Sequence, residues 1–195
     1  MKKILIQTLI ISLFFISFNA KAEIKPIIEG NVDAKVKLIV FESLTCSHCA
    51  DFHKNVYPSL KKDFIDNGLI SIEFRNFPLD IAAFNAAKIA HCRNDGKSEI
   101  LHYLYKNQSS WVRGNTIEDL SKNLSKFVKE SMTFYNLNLD ECLANKKVED
   151  HILEDRIDGA KNYKIEATPT LIINGEKFEN TKNYKKLKKY IEKLI

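Results

Sequence analysis

The 195-residue sequence has no internal repeat, no low-complexity tract and no interdomain linker, which makes one compound domain the economical reading. It also lacks the concentrated basic face of a nucleic-acid binder, since 30 lysines and arginines stand against 25 acids for a formal charge of +5. Lys182, Lys185, Lys186, Lys188, Lys189 and Lys193 do cluster late in the chain, but Tyr184, Leu187, Tyr190, Ile191 and Leu194 interleave with them at helical spacing. That pattern is the solvated face of a terminal amphipathic helix. No apolar run reaches the ~20 residues that a membrane span needs. A hydrophobic fraction of 45% excludes disorder and is enough for a sizeable core.

The longest apolar run lies at the start. Met1-Lys2-Lys3 precedes a mostly apolar stretch from Ile4 to Phe18, broken by Gln7, Thr8, Ser12 and Ser17, and Asn19-Ala20-Lys21-Ala22 follows. This is the layout of a secretory signal peptide, residues 1–22, cleaved after Ala22; a retained anchor helix is the competing reading. Removal of Lys2, Lys3 and Lys21 leaves a formal charge of +2. Export places the four cysteines, Cys46, Cys49, Cys92 and Cys142, where disulfides persist. The simplest partition is one reactive near pair and one distant structural pair, although four cysteines allow three connectivities and the sequence does not select one.

Residues 36–41 are apolar and β-branched, as a buried strand requires, and Cys49, Phe52, Val56 and Leu60 then recur at helical spacing. The expected helix runs over about 47–66, is kinked at Pro58 and ends at Asn67-Gly68. Residues 69–75 alternate as a second strand, and a strand, helix and strand imply a parallel pair. Helical segments follow at 81–90 and about 98–107, 117–129 and 139–162. Strand texture returns over 167–173, Asn174-Gly175 signals a hairpin, and a helix closes the chain. Residues 23–35 read as a short leader, too short for a dimerisation domain. The fold is therefore α/β, with a helical middle (about 80–159) inserted between the two parts of one sheet (about 36–79 and 160–195), all within a single domain over 23–195.

Cys46-Ser47-His48-Cys49 falls at the strand-to-helix junction. A cysteine at a helix N-terminus faces unpaired N–H groups and the positive end of the helix dipole, which favour thiolate over thiol. Cys49, one turn on, can exchange a disulfide with it, and His48 can bring a positive charge or a donor to the sulfur. A stabilised thiolate favours the reduced pair and makes its disulfide a stronger oxidant. A zinc knuckle would want a second ligand pair, and Cys92, Cys142, His91, His102 and His151 offer no such spacing, although a mixed site with His53 or His91 remains open.

Taken with Thr168-Pro169, the sequence resembles the DsbA-like thiol:disulfide oxidoreductases of bacterial envelopes, within the thioredoxin superfamily. The resemblance rests on Thr45-Cys46-Ser47-His48-Cys49, Phe77-Pro78-Leu79-Asp80, an alanine-rich segment ending at Cys92, Gln108 to Trp111, Cys142-Leu143 and the run from Thr168 to Gly175. It is strongest to the alphaproteobacterial-type branch. The resemblance implies a thioredoxin fold, βαβ then ββα around a central mixed sheet, with a helical insertion carrying a structural Cys92–Cys142 disulfide. It implies a cis bond at Thr168-Pro169 against the active-site pair, with Thr168 and Pro169 contacting substrate. It further implies a periplasmic monomer that oxidises thiols of unfolded exported proteins with no metal and no cofactor beyond Cys46 and Cys49, and that is reoxidised by a membrane-embedded, quinone-linked DsbB-like partner.

Two departures stand out. Ser47 replaces the proline usual in such motifs, so the redox potential does not carry over. Val40 stands where many relatives have a buried Glu; Glu42, on the same strand face, is the candidate proton-handling carboxylate below Cys49, against a reading as a partly exposed strand end. Two other functions compete. One is a disulfide isomerase or reductase, which Thr168 favours. The other is a non-catalytic exported module that holds metal or a client.

Overall fold

The protein is described by a computed structural model covering residues 23–195, and the expected signal peptide, residues 1–22, lies outside the described residues. Five strands form one mixed sheet: β1 (Ile27–Gly30), β2 (Val36–Glu42), β3 (Ile70–Asn76), β4 (Thr170–Ile173) and β5 (Glu176–Phe178), in the order β1-β3-β2-β4-β5. β2 and β3 run parallel, and β1, β4 and β5 pair antiparallel with their neighbours. Val36, Leu38 and Val40 alternate into the main core, while Phe41 packs with Phe77, Ile165 and Ile172 on the other side. β2 is thus covered on both faces, as the centre of a parallel-containing sheet must be.

The leader reading of residues 23–35 is corrected by β1. Four residues are too few to show a period, so only the pairing of Ile27 to Gly30 with Phe74 to Ser71 reveals the strand. Gly30 ends it at φ +86°, and a Cβ there would meet the Ile70 carbonyl oxygen at 2.2 Å, so only glycine permits this approach.

The expected single helix over 47–66 is in fact α1 (Ser47–Asn55), α2 (Tyr57–Leu60) and a π-helical turn (Lys61–Ile65). Pro58 supplies no N–H for the bond to the preceding turn, so α1 stops and α2 starts with the proline in its first turn. Its apolar stripe survives the break, because Cys49, Phe52, Val56 and Leu60 are all buried.

The helical middle contains α3 (Ile81–Ala90), α4 (Glu99–Lys106), α5 (Gln108–Trp111), α6 (Ile117–Ser131), α7 (Leu139–Ala144) and α8 (Lys146–Asn162). The expected helix at 139–162 is divided at Asn145, whose side chain accepts from the Lys147 and Val148 N–H groups and caps α8. A disulfide joins Cys92, just past α3, to Cys142 in α7. α8 belongs to both regions, since its later residues lie on the sheet. Asp155 Oδ2 accepts from the Asn76 backbone at 3.0 Å, and Arg75 Nη1 donates to Asp158 Oδ2 at 2.7 Å. At the other end of the sheet, Asn174 and Gly175 take φ 50° and 89°, the left-handed pair of a two-residue hairpin, and α9 (Tyr184–Glu192) closes the chain.

Gly159 is where α8 presses on β2. A Cβ there would stand 2.9 Å from Phe41 Cε1 and 3.2 Å from Phe77 Cδ2, both in buried rings. Overpacking costs about 1–3 kcal/mol, at least as much as the ~1 kcal/mol that alanine gains over glycine inside a helix. Urea unfolding of G159A is therefore expected to show a lower midpoint than wild type. A raised midpoint would contradict the tight contact.

Candidate active site

β2 ends at Glu42, and three residues carry the chain to Cys46, which is the N-cap of α1 in an extended conformation (φ −74°, ψ 120°). Its N–H donates to the Ser43 carbonyl at 3.0 Å, and its carbonyl accepts from Cys49 N at 3.1 Å and Ala50 N at 3.2 Å. The helical layer clamps this loop at two points. Gln108 Nε2 donates to the Leu44 and Cys46 carbonyls at 2.8 and 3.0 Å. Thr45 Oγ1 donates to Asp80 Oδ2 at 2.6 Å, while Asp80 Oδ1 caps α3 by accepting from Ala83 N. The insertion thus holds the start of α1 in place.

Cys46 and Cys49 are both free thiols, the first half-buried and the second fully buried. Their environments drive them apart. A hydrogen bond with the Cys49 side chain is the largest influence holding the Cys46 thiol at about 5; burial opposes it, and Thr168 with the backbone N–H groups of Cys49 and His48 adds to it. The Cys49 thiol is pushed far above the usual thiol range, first by burial, then by its bond to Cys46 and by the negative charge of Glu42. The Ser43 N–H at 3.5 Å from Cys49 Sγ only partly offsets this. At neutral pH the pair is an exposed-side thiolate beside a buried thiol.

β4 sets the opposite wall. Its register places Thr170 against Phe41, which brings the cis Thr168–Pro169 bond to the start of α1. Cys46 Sγ lies 3.4 Å from the Thr168 carbonyl oxygen. Glu42 is buried, with Oε2 at 2.7 Å from His53 Nε2, and its Oε1 has no partner. His48 is placed differently from the other candidates. Its ring is exposed, with Nδ1 3.1 Å from Lys182 Nζ and 3.9 Å from Asp51 Oδ2, and it is the His48 backbone N–H that reaches the sulfur.

Four further residues shape the site in roles the sequence did not assign them, although His53 was open there as a metal ligand and Gln108 belonged to the family resemblance. Gln108 clamps the loop; Tyr105 stacks on His53 at 4.0 Å between ring centroids; and His102 meets His53 through their Nδ1 atoms at 3.1 Å. His53 itself lies one turn beyond Cys49 on the same face of α1, a spacing that could have marked it. The other three come from distant helices, and no local signal ties them to the cysteines. Among the described residues, no group of three or more His, Cys, Asp or Glu side chains is arranged to hold a metal ion.

A mixed five-stranded sheet, a cysteine pair opening its first long helix and a cis proline facing that pair define a thioredoxin-fold dithiol site. Residues 22–193 match the family model described as Thioredoxin, and the chain belongs to that family. Its structure is similar to alpha-DsbA1 of Wolbachia pipientis, with a TM-score of 0.76 and 28% identity over 87% of this chain and 90% of that one. In sequence it is 27% identical over 176 residues to disulfide bond formation protein D of Bacillus subtilis, covering 85% of this chain and 75% of that protein. It is 28% identical over 153 residues to a putative protein-disulfide oxidoreductase of Rickettsia bellii, covering 77% of this chain. The chain spans 58% of the length of that Rickettsia relative.

The lowered Cys46 thiol has a pH consequence with a definite sign. A group depressed on folding stabilises the folded, reduced chain above its ordinary value of roughly 8.5, and that contribution is lost as pH falls through about 5. Thiolate ultraviolet absorbance of the reduced chain is expected to titrate with a midpoint of about 5. Cys49→Ala should raise that midpoint, because the Cys49 hydrogen bond is the largest lowering influence. An unmoved midpoint would place the stabilisation elsewhere.

Proposed function

We propose that the protein is a thiol:disulfide oxidoreductase that introduces disulfides into other proteins through Cys46 and Cys49. The observation that carries this is the asymmetric pair: a half-exposed Cys46 thiol held at about 5 above a buried Cys49 thiol held far up. The kinship to disulfide bond formation protein D supports it.

In the oxidised site a substrate thiolate attacks Cys46 Sγ, the exposed sulfur. The Cys46–Cys49 bond breaks, its electron pair departs on Cys49, and Cys49 takes up a proton because burial disfavours its anion. A second substrate thiolate then attacks the substrate sulfur of the mixed disulfide and expels Cys46 as a stable thiolate. The substrate dithiol loses two electrons and two protons; the site gains the two electrons and one proton, and the other proton goes to solvent. Thr168 and Pro169 flank the attacked sulfur, where the Thr168 backbone pairs with an extended substrate segment. Glu42 is the carboxylate that exchanges the proton with Cys49. The Cys92–Cys142 bridge is structural and takes no part in exchange.

The signal-like sequence of residues 1–22 supports a reaction outside the cytoplasm, in the periplasm, on unfolded exported proteins. The domain, residues 23–195 with the helical insertion at about 80–159, works as a monomer. Turnover then requires a membrane-embedded DsbB-like reoxidant. The second reading, a reductase or isomerase, is favoured only by Thr168 beside the cysteines.

The equilibrium potential against glutathione separates the two. A stabilised Cys46 thiolate favours the reduced site, so the potential is expected well above the roughly −270 mV of thioredoxin and toward the roughly −120 mV of DsbA. A thioredoxin-like value would remove the oxidase reading and leave the reductase.

A further inference from the structure

Behind the cysteines, a continuous chain of hydrogen bonds runs from the buried strand end to the molecular surface. Glu42 Oε2 and His53 Nε2 are 2.7 Å apart. His53 Nδ1 and His102 Nδ1 are 3.1 Å apart. His102 Nε2 and Glu29 Oε1 are 2.7 Å apart. The four side chains come from four separate elements, α1 and α4 for the histidines and β2 and β1 for the carboxylates.

Counting protons constrains this chain. Each of the three contacts brings together two atoms that are both lone-pair acceptors unless a proton lies between them. Two ionised carboxylates and two neutral imidazoles carry only two protons and leave one contact unbonded. Bonding all three contacts at once takes three protons, carried with one histidine as an imidazolium or with one carboxyl as a neutral acid. Glu29 is not the neutral member: although burial opposes it, hydrogen bonds from His102, Ser98, Tyr57 and Lys61 hold its carboxyl well below the usual range. In the fully bonded chain the third proton thus resides on one of the histidines or on Glu42.

We propose that Glu42, His53, His102 and Glu29 form a proton relay that exchanges the Cys49 proton with solvent, an inference that rests on the redox reading above. At the inner end, Glu42 Oε1 is buried with no partner, and the charge of Glu42 acts on Cys49. At the outer end, His102 is 24% exposed and, with Tyr57 and Lys61, borders an open cavity of about 760 Å³. When substrate attack expels Cys49 as a thiolate, Glu42 passes a proton to Cys49 Sγ. Two protons then remain for three contacts, and one contact stays open until a third enters from solvent at His102. When Cys49 attacks a mixed disulfide on Cys46, its proton moves the other way: Glu42 accepts it, and the chain returns to three protons by releasing one to solvent at His102.

The groups packed around the relay are suited to leave it undisturbed. Tyr105 from α4 stacks on His53, and burial raises its hydroxyl well above the usual phenol range, so it remains a phenol. Tyr57 from α2 donates to both Glu29 oxygens at 2.8 and 2.7 Å and is likewise held as a phenol. Lys61 donates to Glu29 at 3.0 Å and pairs with Asp66 at 2.9 Å, which keeps its ammonium charged. None of these three can take the proton from the relay at neutral pH.

The test uses the full chain carrying a glutathione mixed disulfide on Cys46, and follows its resolution by Cys49 across pH. H102Q keeps a partner for Glu29 but leaves nothing at the Nδ1 position, and E29Q keeps the shape of the outer end while removing its charge. Both are expected to slow resolution at neutral pH by about tenfold, less than the 10²–10⁴ typical of a group that touches the proton directly. Added imidazole should restore H102Q, and alkylation of Cys46 by iodoacetamide should keep its wild-type rate in both variants. Wild-type resolution rates in both variants would overturn the relay alone. Equal slowing of alkylation and resolution would also overturn it, because the effect would then be electrostatic on Cys46. A wild-type chain unable to resolve the mixed disulfide would overturn the redox reading and the relay together.

Discussion

The influence of the two cysteine side chains on each other is the interaction on which the site depends. It gives Cys46 the largest share of its thiolate stabilisation and adds to the burial that keeps Cys49 protonated. It exists only because Cys46 caps α1 while Cys49 lies one turn below, inside the core. That placement in turn requires a loop after β2 that neither frays nor shifts. Gln108 and Asp80, both from the helical insertion, pin it. The insertion therefore contacts the cysteine loop as a clamp, and α8 ties it to the sheet.

The carboxylate side of the site follows from the same geometry. Glu42 ends β2, and its charge acts on the buried sulfur. An isolated buried carboxylate would be costly, and His53, one turn past Cys49, supplies the partner that makes it tolerable. The continuation through His102 to Glu29 ties this pair to the surface. The buried Cys49 thiolate that must take up a proton and the proposed route for that proton thus meet at Glu42.

The sheet and the cysteine pair were legible in the sequence because their signals are local. The β-branched run into Cys46, the alternation at 69–75 and the Asn174-Gly175 turn each declare themselves within a few residues. Pro58 likewise marks the break between α1 and α2. β1 was not legible, since Ile27–Gly30 is too short to show a period and becomes a strand only by pairing with β3. The division at Asn145 was hidden because a single asparagine reads equally as a helical surface residue and as a cap. In the site, the position of Glu42 followed from alternation along β2, whereas the exposed ring of His48 reflects side-chain packing that spacing does not encode. Gln108 and His102 reach the site from another part of the chain, and only the tertiary fold assembles them.

The account rests on Cys46, and not Cys49, being the sulfur that a substrate attacks. The most direct measurement mixes the oxidised chain with an extended peptide bearing one cysteine, which cannot complete the second exchange. Acid quenching followed by mass analysis of the fragments then locates the adduct. The account predicts a mixed disulfide on Cys46 with Cys49 as free thiol and the Cys92–Cys142 bridge intact. An adduct on Cys49, or opening of the Cys92–Cys142 bridge in its place, would contradict it.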